Sequence, residues 1–270
     1  MGALRRRVPS IAWAIIAGLA LTTCAQATAA DPSAAPPPRA LEAAVVGPRL
    51  AADSMDRLRL PIPQPVLGPI LHPDVAYAVL PQGRYLPIFD EPSGRRAGGF
   101  DPVNPWRQAA PFLVTDVRRD RAGKAWLKVL VPARQNGTTG WVPRNDVKLV
   151  QERERIVVDL SQRTLWHFRN GHVVHRFSVA IGAPGTPTPT GIFYVWAHVP
   201  QASPFGPYGS FVLGLSGWSE TVANGRMAIH GTADPTDRGR GVSHGCIRVY
   251  NPQMRLLRHV PMGTPVIIRP

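Results

Sequence analysis

The chain has few cysteines, few acidic residues and no apolar run of membrane-spanning length, and each shortage narrows what it can be. Only two of its 270 residues are cysteines, Cys24 and Cys246. Acidic residues number 17 against 31 basic ones, which gives a formal charge of +14 and favours polyanionic partners. The sequence has no basic stripe interleaved with aromatic residues and no nucleic-acid motif. We therefore expect no nucleic acid among its partners.

The first 30 residues have the three parts of a secretory signal. The arginines Arg5–Arg7 form a charged start, an apolar run extends from Ile11 to Leu21, and small residues follow up to Ala30. A run of about 11 to 14 apolar residues is too short to cross about 30 Å of hydrocarbon comfortably. We expect a cleaved signal peptide over residues 1–30 and an exported protein, whose anionic partners would be cell-envelope polymers and lipid headgroups.

Cys24 leaves a second interpretation of this segment open. Leu21-Thr22-Thr23-Cys24 loosely resembles a lipoprotein box, in which the cysteine would be acylated, but Thr23 stands where Gly, Ala or Ser is usual. Once the signal is removed, Cys246 is the single remaining thiol, so an intramolecular disulfide is excluded. An unpaired cysteine in an exported protein is either a small buried apolar side chain or a reactive group, and its neighbours decide which.

The rest of the chain is predicted to be mainly β. Its 30 prolines and 25 glycines indicate short strands and many turns rather than a helical bundle. Residues 31–74 are rich in Ala and Pro and predict an extended linker. Short apolar runs over residues 75–150 predict strands. Residues 150–155 predict a charged joint, and more strands are predicted over 154–270. Near the end, Asn251-Pro252 predicts a helix cap and a short helix.

Two segments carry residues suited to one kind of chemistry. An apolar strand over 227–232 delivers His230 to the end of a sheet, and Cys246 precedes a second short strand. A thiol with an ordinary pKa of about 8.5 is only a few per cent thiolate at neutral pH, so a nucleophilic cysteine needs a nearby base. His230 can accept the thiol proton and return it to a leaving amine. With no acidic residue adjacent, the carbonyl of Gly231 can orient the imidazole.

Three further residues are candidates for contacts with a substrate. The N–H groups of Gly245 and Cys246 can face a developing oxyanion, because Gly245 has no side chain. Arg248 should share a strand face with Cys246 and either holds a substrate carboxylate or forms a structural ion pair. Tyr208 lies in a Gly/Pro-rich loop that is either a lid over the substrate or an ordinary loop.

Four histidines raise the possibility of a metal site, namely His167, His172, His175 and His198. No ordered spacing joins them to a carboxylate or a second cysteine. We therefore expect neither a metal nor a cofactor.

The segment His230-Gly231-Thr232, followed by Ser243-His244-Gly245-Cys246-Ile247-Arg248, resembles the signature of L,D-transpeptidases with a YkuD-type catalytic domain. Pro187–Phe193 extends the resemblance upstream. It implies a β-sandwich catalytic domain with a short C-terminal helix over residues 154–270. It also implies a peptidoglycan enzyme whose cysteine releases the terminal D-alanine of a tetrapeptide stem, forms a thioester and makes 3→3 cross-links.

The resemblance assigns roles to particular residues. Cys246 is implied as nucleophile, His230 as base and Gly231 as the residue that orients it, while Ser243 and His244 are cleft residues. Thioester formation with carbapenem-type inhibitors is expected. Some members have Asn in place of Arg248, which leaves the contact made by this position open.

The strands Trp126–Val129 and Gly140–Val142 resemble part of a bacterial Src-homology-3-like barrel, so residues 75–150 are predicted to be a small domain of that kind. Its role is either wall binding or scaffolding. Two alternative functions remain: an L,D-carboxypeptidase with the same nucleophile, and a non-catalytic wall-binding protein. A sortase-like enzyme is disfavoured, because Gly245 precedes the cysteine in place of a Thr-x-Thr-Cys motif.

Overall fold

The structure, a computed structural model, describes residues 76–83, 85–222 and 224–270. The predicted signal peptide, the linker and Cys24 lie outside these residues. Within the part that is described, no helix is long and apolar enough to span a membrane. The described residues fall in one compact unit, and the division of the chain into a leader, a linker and two folded domains stays a prediction.

Seven antiparallel strands form the first sheet, in the order β3-β2-β6-β5-β4-β1-β7. Their bounds are β1 Ala76–Pro81, β2 Leu86–Phe89, β3 Arg96–Phe100, β4 Phe112–Arg119, β5 Ala125–Leu130, β6 Thr139–Pro143 and β7 Val147–Glu152, with a 3-10 turn at Arg144–Asp146. The apolar runs in the sequence predict five of these seven strands, but they do not predict β3 or β7. The two consecutive glycines of β3 weaken any strand signal. The resemblance to a Src-homology-3-like barrel stays a prediction.

Eight strands form the second sheet, in the order β10-β9-β8-β17-β12-β13-β14-β16. Their bounds are β8 Glu154–Asp159, β9 Thr164–Arg169, β10 His172–Ser178, β12 Gly191–Pro200, β13 Phe211–Trp218, β14 Arg226–Thr232, β16 Ile247–Tyr250 and β17 Pro265–Arg269. Two short parallel strands, β11 Ile181–Gly182 and β15 Gly241–Ser243, pair separately. The meander β8-β9-β10 turns at Asn170-Gly171, where both residues have positive φ. The predicted mainly-β class is confirmed.

The single α-helix among the described residues is α1, Asn251–Leu257. The sequence predicts this short helix correctly, but its cap is one residue earlier than expected. Tyr250 is the cap residue, and Asn251 is the first helical residue. The Asn251 side chain is therefore free of a capping role and bonds to a loop beside the site instead.

The prediction of a charged joint over 150–155 is wrong. Strand β7 ends at Glu152 and β8 begins at Glu154, so the chain passes from one sheet to the other with one residue between strands. Glu152 is buried, and Glu154 accepts hydrogen bonds from His167 and Arg169. These charged residues have partners inside the fold, which is why they continue the strands rather than form a solvated loop.

Loops of the first sheet are bonded to the backbone of the second. Asn104 Nδ2 donates to the carbonyl of Trp196 at 2.9 Å. Gln108 bonds to both backbone groups of His198, at 2.7 and 3.0 Å. Amide side chains that satisfy backbone groups in this way act like an added strand. The loop 101–110 is thereby fixed against β12.

Candidate active site

Alternation along β14 and β16 separates core residues from the site. Met227, Ile229, Ile247 and Val249 are buried in the main core of the second sheet. On the opposite face Ala228 and Cys246 belong to a second, smaller cluster. His230 alternates with Ile229 and follows Ala228 by two positions, so it lies on the same face as Cys246. The strands pair in parallel, with Ile229 opposite Ile247, and this register brings Cys246 beside Ala228.

The turn before Cys246 is braced by Ser243. The Ser243 hydroxyl, which is buried, donates to the carbonyl of Cys246 and accepts from the N–H of Gly245 at 3.1 Å. We expected the Gly245 N–H to face an oxyanion, but it is directed to Ser243 Oγ. Gly245 has φ +114°, and a Cβ there would lie 2.9 Å from Ser219 Oγ. Glycine is therefore required by the backbone of the turn.

The carbonyl of Gly231 lies where the sequence analysis expects it. His230 Nδ1 is 2.8 Å from Gly231 O. Because a carbonyl only accepts, Nδ1 carries the hydrogen and Nε2 is the basic nitrogen. The ring of Tyr208 packs edge-on against the imidazole, with centroids 5.1 Å apart, and contacts the cluster that contains Cys246. Tyr208 thus packs on the face of β14 that carries His230.

Burial keeps the resting cysteine and histidine uncharged. It raises the pKa of the Cys246 thiol to about 11, although a hydrogen bond with the Ala228 backbone and the charge of Arg248 lower it in part. Burial also lowers the pKa of His230 to about 4, against the opposing hydrogen bond to Gly231. At neutral pH the site therefore holds a thiol and a neutral imidazole rather than an ion pair.

Arg248 forms an ion pair, one of the two roles expected for it, and its partner Asp237 is not singled out by the sequence. Its Nη1 lies 3.3 Å from Asp237 Oδ2, and the same oxygen accepts from Thr232 Oγ1 at 2.9 Å. The Arg248 side chain is 28% exposed, and its buried Nε has no hydrogen-bond partner among the residues that the structure describes. The ion pair is thus present, and part of the guanidinium remains available. Asp237 belongs to the loop 233–242 and is not adjacent to Arg248 or His230 in sequence, so the sequence does not indicate this contact.

The loop that carries Tyr208 is held by the helix. Asn251 accepts from the N–H of Ser210 at 2.8 Å and donates to the carbonyl of Pro204 at 2.7 Å. Gly209 has φ +61°, and a Cβ at this position would lie 2.2 Å from the backbone of Gly231. The loop therefore approaches β14 as closely as its backbone permits, directly over His230.

Cys246 is buried, with 7% of its surface exposed, and it lines a narrow cavity that is partly open to solvent. Most of the other residues that line the cavity are apolar or aromatic, and Asn224 and Arg226 are the polar ones. The apolar and aromatic residues are Trp106, Trp196, Val199, Tyr208, Val212, Gly214, Leu215, Val222, Met227 and Ala228. No sequence motif indicates that Trp106, Trp196 and Arg226 line this cavity, because they come from three distant segments of the chain.

The remaining predicted residues lie at the margin or elsewhere. His244 is exposed, and its carbonyl accepts from Thr221 Oγ1. His167 bonds to Glu154, and His198 bonds to the carbonyl of Val260. Over the described ranges, no three His, Cys, Asp or Glu residues converge to hold a metal.

Residues 153–268 match the family of the L,D-transpeptidase catalytic domain, YkuD. Over 117 residues the chain is 38% identical to the putative L,D-transpeptidase YkuD of Bacillus licheniformis, covering 43% of this chain and 66% of that protein. For the Bacillus subtilis protein of the same name the values are 38% over 114 residues, 42% and 64%. The matches thus span just under two thirds of these relatives.

Among solved structures, the chain is also similar to the catalytic domain of an Enterococcus faecium L,D-transpeptidase. The two are 30% identical, with 44% of this chain and 98% of that chain covered and a TM-score of 0.33.

Proposed function

We propose that the chain is a peptidoglycan L,D-transpeptidase that acts through a Cys246 thioester, since residues 153–268 match the YkuD family of L,D-transpeptidase catalytic domains. The observation that supports this most is the shared face of β14 and β16. There a thiol lines a cavity, and a histidine with a fixed tautomer lies on the same side. A nucleophile and a base on one face are what acyl transfer through cysteine requires.

Acylation begins when Cys246 Sγ attacks the carbonyl carbon that precedes the terminal D-alanine of a tetrapeptide stem. The thiol proton moves to His230 Nε2. The C–N bond breaks, and His230 returns the proton to the amine nitrogen of the departing D-alanine. An amine from a neighbouring stem then attacks the thioester, and the C–S bond breaks. The acceptor's proton returns to sulfur through His230, and a 3→3 cross-link is left.

The pKa values of the resting pair mean that the substrate must help to activate the thiol. Proton transfer from a thiol with a pKa of about 11 to an imidazole with a pKa of about 4 is strongly unfavourable. Both shifts arise mainly from burial, and Tyr208 packs against His230 and against the cluster that contains Cys246. We propose that this loop moves when a stem peptide enters, so that polar peptide groups replace the apolar contact. The N–H of Cys246 would then face the oxyanion, while Ser243 holds the turn.

The alternative of an L,D-carboxypeptidase differs only in the acceptor. Water would resolve the thioester, and a tripeptide would be the product instead of a dimer. Analysis of the products from tetrapeptide-rich muropeptides distinguishes the two, since dimers indicate transpeptidation and tripeptides indicate hydrolysis.

The nucleophile is tested by intact-mass measurement of the purified protein with and without a carbapenem. We expect the wild-type protein to gain one inhibitor mass and Cys246→Ala to gain none. Cross-linking by this variant should fall at least about a thousandfold, as loss of a nucleophile does in other covalent enzymes. Since the variant removes one small side chain, its thermal unfolding should stay close to that of the wild type. Full cross-linking by Cys246→Ala would instead favour a wall-binding protein.

We also propose that the protein is exported and works at the cell envelope. The support is the signal-like segment over 1–30 and the formal charge of +14, which would concentrate the enzyme near anionic envelope polymers. The mass of the protein purified from its native envelope reports the cleavage site and any lipid on Cys24. Retention of residues 1–30 would count against a cleaved signal.

A further inference from the structure

The cavity beside Cys246 continues along β14 away from His230. On this face of the strand the successive side chains are Arg226, Ala228 and His230, and Cys246 lies next to Ala228. A strand rises about 3.3 Å per residue, so Arg226 and His230 lie about 6 to 7 Å on either side of the nucleophile's position. The base therefore occupies one side of Cys246 and a cation the other.

The guanidinium of Arg226 is held in place by neighbours from both sheets. It lies over the rings of Trp196 and Trp218, at 4.8 and 5.3 Å from their centroids. Its Nη1 donates to the carbonyl of Pro132, in a loop of the first sheet, at 3.0 Å. A cation fixed by stacking and by a backbone bond loses little freedom when it binds an anion.

Two of the tryptophans that line the cavity have buried indole N–H groups. The Nε1 atoms of Trp106 and Trp196 are buried and have no hydrogen-bond acceptor within the described part of the chain. The two rings pack edge to face, with centroids 5.7 Å apart, and Trp196 is 97% buried, with 3% of its surface exposed. Buried donors without acceptors are rare in proteins, and a ligand that brings acceptor oxygens would satisfy them.

We propose that Arg226, Trp106 and Trp196 form a carboxylate subsite that holds the terminal residue of the donor peptide beside Cys246. The proposal rests on the proposed function. A terminal residue extended along β14 from Cys246 places its carboxylate towards Arg226, which lies two positions from Ala228 on the same face of the strand. The apolar side chains of Val199, Val212 and Val222 complete a wall suited to a methyl group.

In this proposal the substrate carboxylate binds Arg226 and not Arg248, the residue for which the sequence predicted that contact. Arg248 Nη1 is already paired with Asp237, and Arg248 lies beside His230 in the strand register. The subsite also gives the first sheet a part in substrate recognition, since Trp106 comes from its loop 101–110. The terminal residue then leaves as a free amino acid, which carries the carboxylate and the nitrogen of the broken C–N bond.

The test compares two donor peptides, a tetrapeptide with a free C-terminal carboxylate and the same peptide as its C-terminal amide. For the wild type we expect kcat/KM of acylation to favour the acid by about tenfold or more, the range of a hydrogen bond to a charged group. Arg226→Gln should reduce this preference to about twofold or less. Arg226→Lys should keep an intermediate preference, because it retains the charge without the planar fork.

Further variants separate this subsite from its rivals. Arg169→Gln, at an exposed residue of β9, is the matched control and should keep the wild-type preference. Trp106→Phe retains an aromatic ring without the N–H and should lower kcat/KM for the acid about threefold or more. If Arg248→Gln abolishes the preference while Arg226→Gln keeps it, the subsite is overturned.

The proposed function fails separately from the subsite. If the wild-type protein forms no Cys246 acyl-enzyme with either peptide, the proposed function is wrong. If it acylates both peptides at equal rates, the nucleophile stands and only the carboxylate subsite is wrong. A variant that does not fold is replaced by Arg226→Lys or Trp106→Phe, and the ratio of acid to amide is measured again.

Discussion

The two faces of β14 and β16 differ although they share one backbone. One face contributes Ile229 and Ile247, both fully buried in the core of the second sheet. The other contributes Ala228 and Cys246, which line a partly open cavity, and His230, which lies on the same side of β14. The difference shows how strand alternation lets a few residues serve packing and chemistry at once.

The consequence is that stability and reactivity should respond to different substitutions on the same strands. A change on the core face creates a void in close-packed surroundings. A change on the cavity face alters proton transfer or binding. Variants at adjacent positions, one from each face, therefore test whether stability and reactivity depend on different faces.

The largest effect is expected for His230→Gln on the cavity face. Loss of a general base costs about 100- to 10,000-fold in rate, so acylation by a carbapenem should slow by that factor at neutral pH. The residual rate should rise with pH towards the thiol pKa of about 11, because only spontaneous ionisation then supplies the thiolate. Time-resolved mass measurement checks this, and acylation within threefold of the wild type would refute a role for His230 as base.

The next effect is expected for Ile229→Ala on the core face. Truncation of a fully buried Ile costs about 2–5 kcal/mol in the free energy of unfolding, while acylation by the folded fraction should remain within about threefold. Val212→Ala, the matched variant on the cavity face, should cost clearly less. Urea unfolding measures both. Equal losses would mean that the two faces are packed alike.

Much of the fold and part of the site are accessible from sequence, for a physical reason. Apolar runs and Asn-Gly turns are local signals, so the meander β8-β9-β10 and the short helix at Asn251 are predictable. The motif around Cys246 likewise carries the resemblance to the YkuD family without coordinates, and residues 153–268 match that family. Trp106 and Arg226 are 120 residues apart in sequence and meet only because loop 101–110 bonds to β12. Asp237 is similarly brought to Arg248 by tertiary structure, and no local pattern encodes these contacts.

The smallest effect is expected for the stability contribution of Glu152, a buried acid. Its pKa is raised, whereas the pKa of His230 is lowered. Burial, with the charge of Glu154, raises the pKa of Glu152 to about 7, so its contribution to stability is present below about pH 4.5 and is lost as pH rises through 7. The lowered pKa of His230 acts the other way, since its contribution is present above about pH 6.5 and lost as pH falls through about 4. Glu152→Gln should therefore raise the free energy of unfolding by about 1–2 kcal/mol at pH 8 and change it little at pH 4. Exposed Glu91→Gln is the control, and an equal gain at both pH values would show that packing rather than ionisation separates Glu152 from Gln.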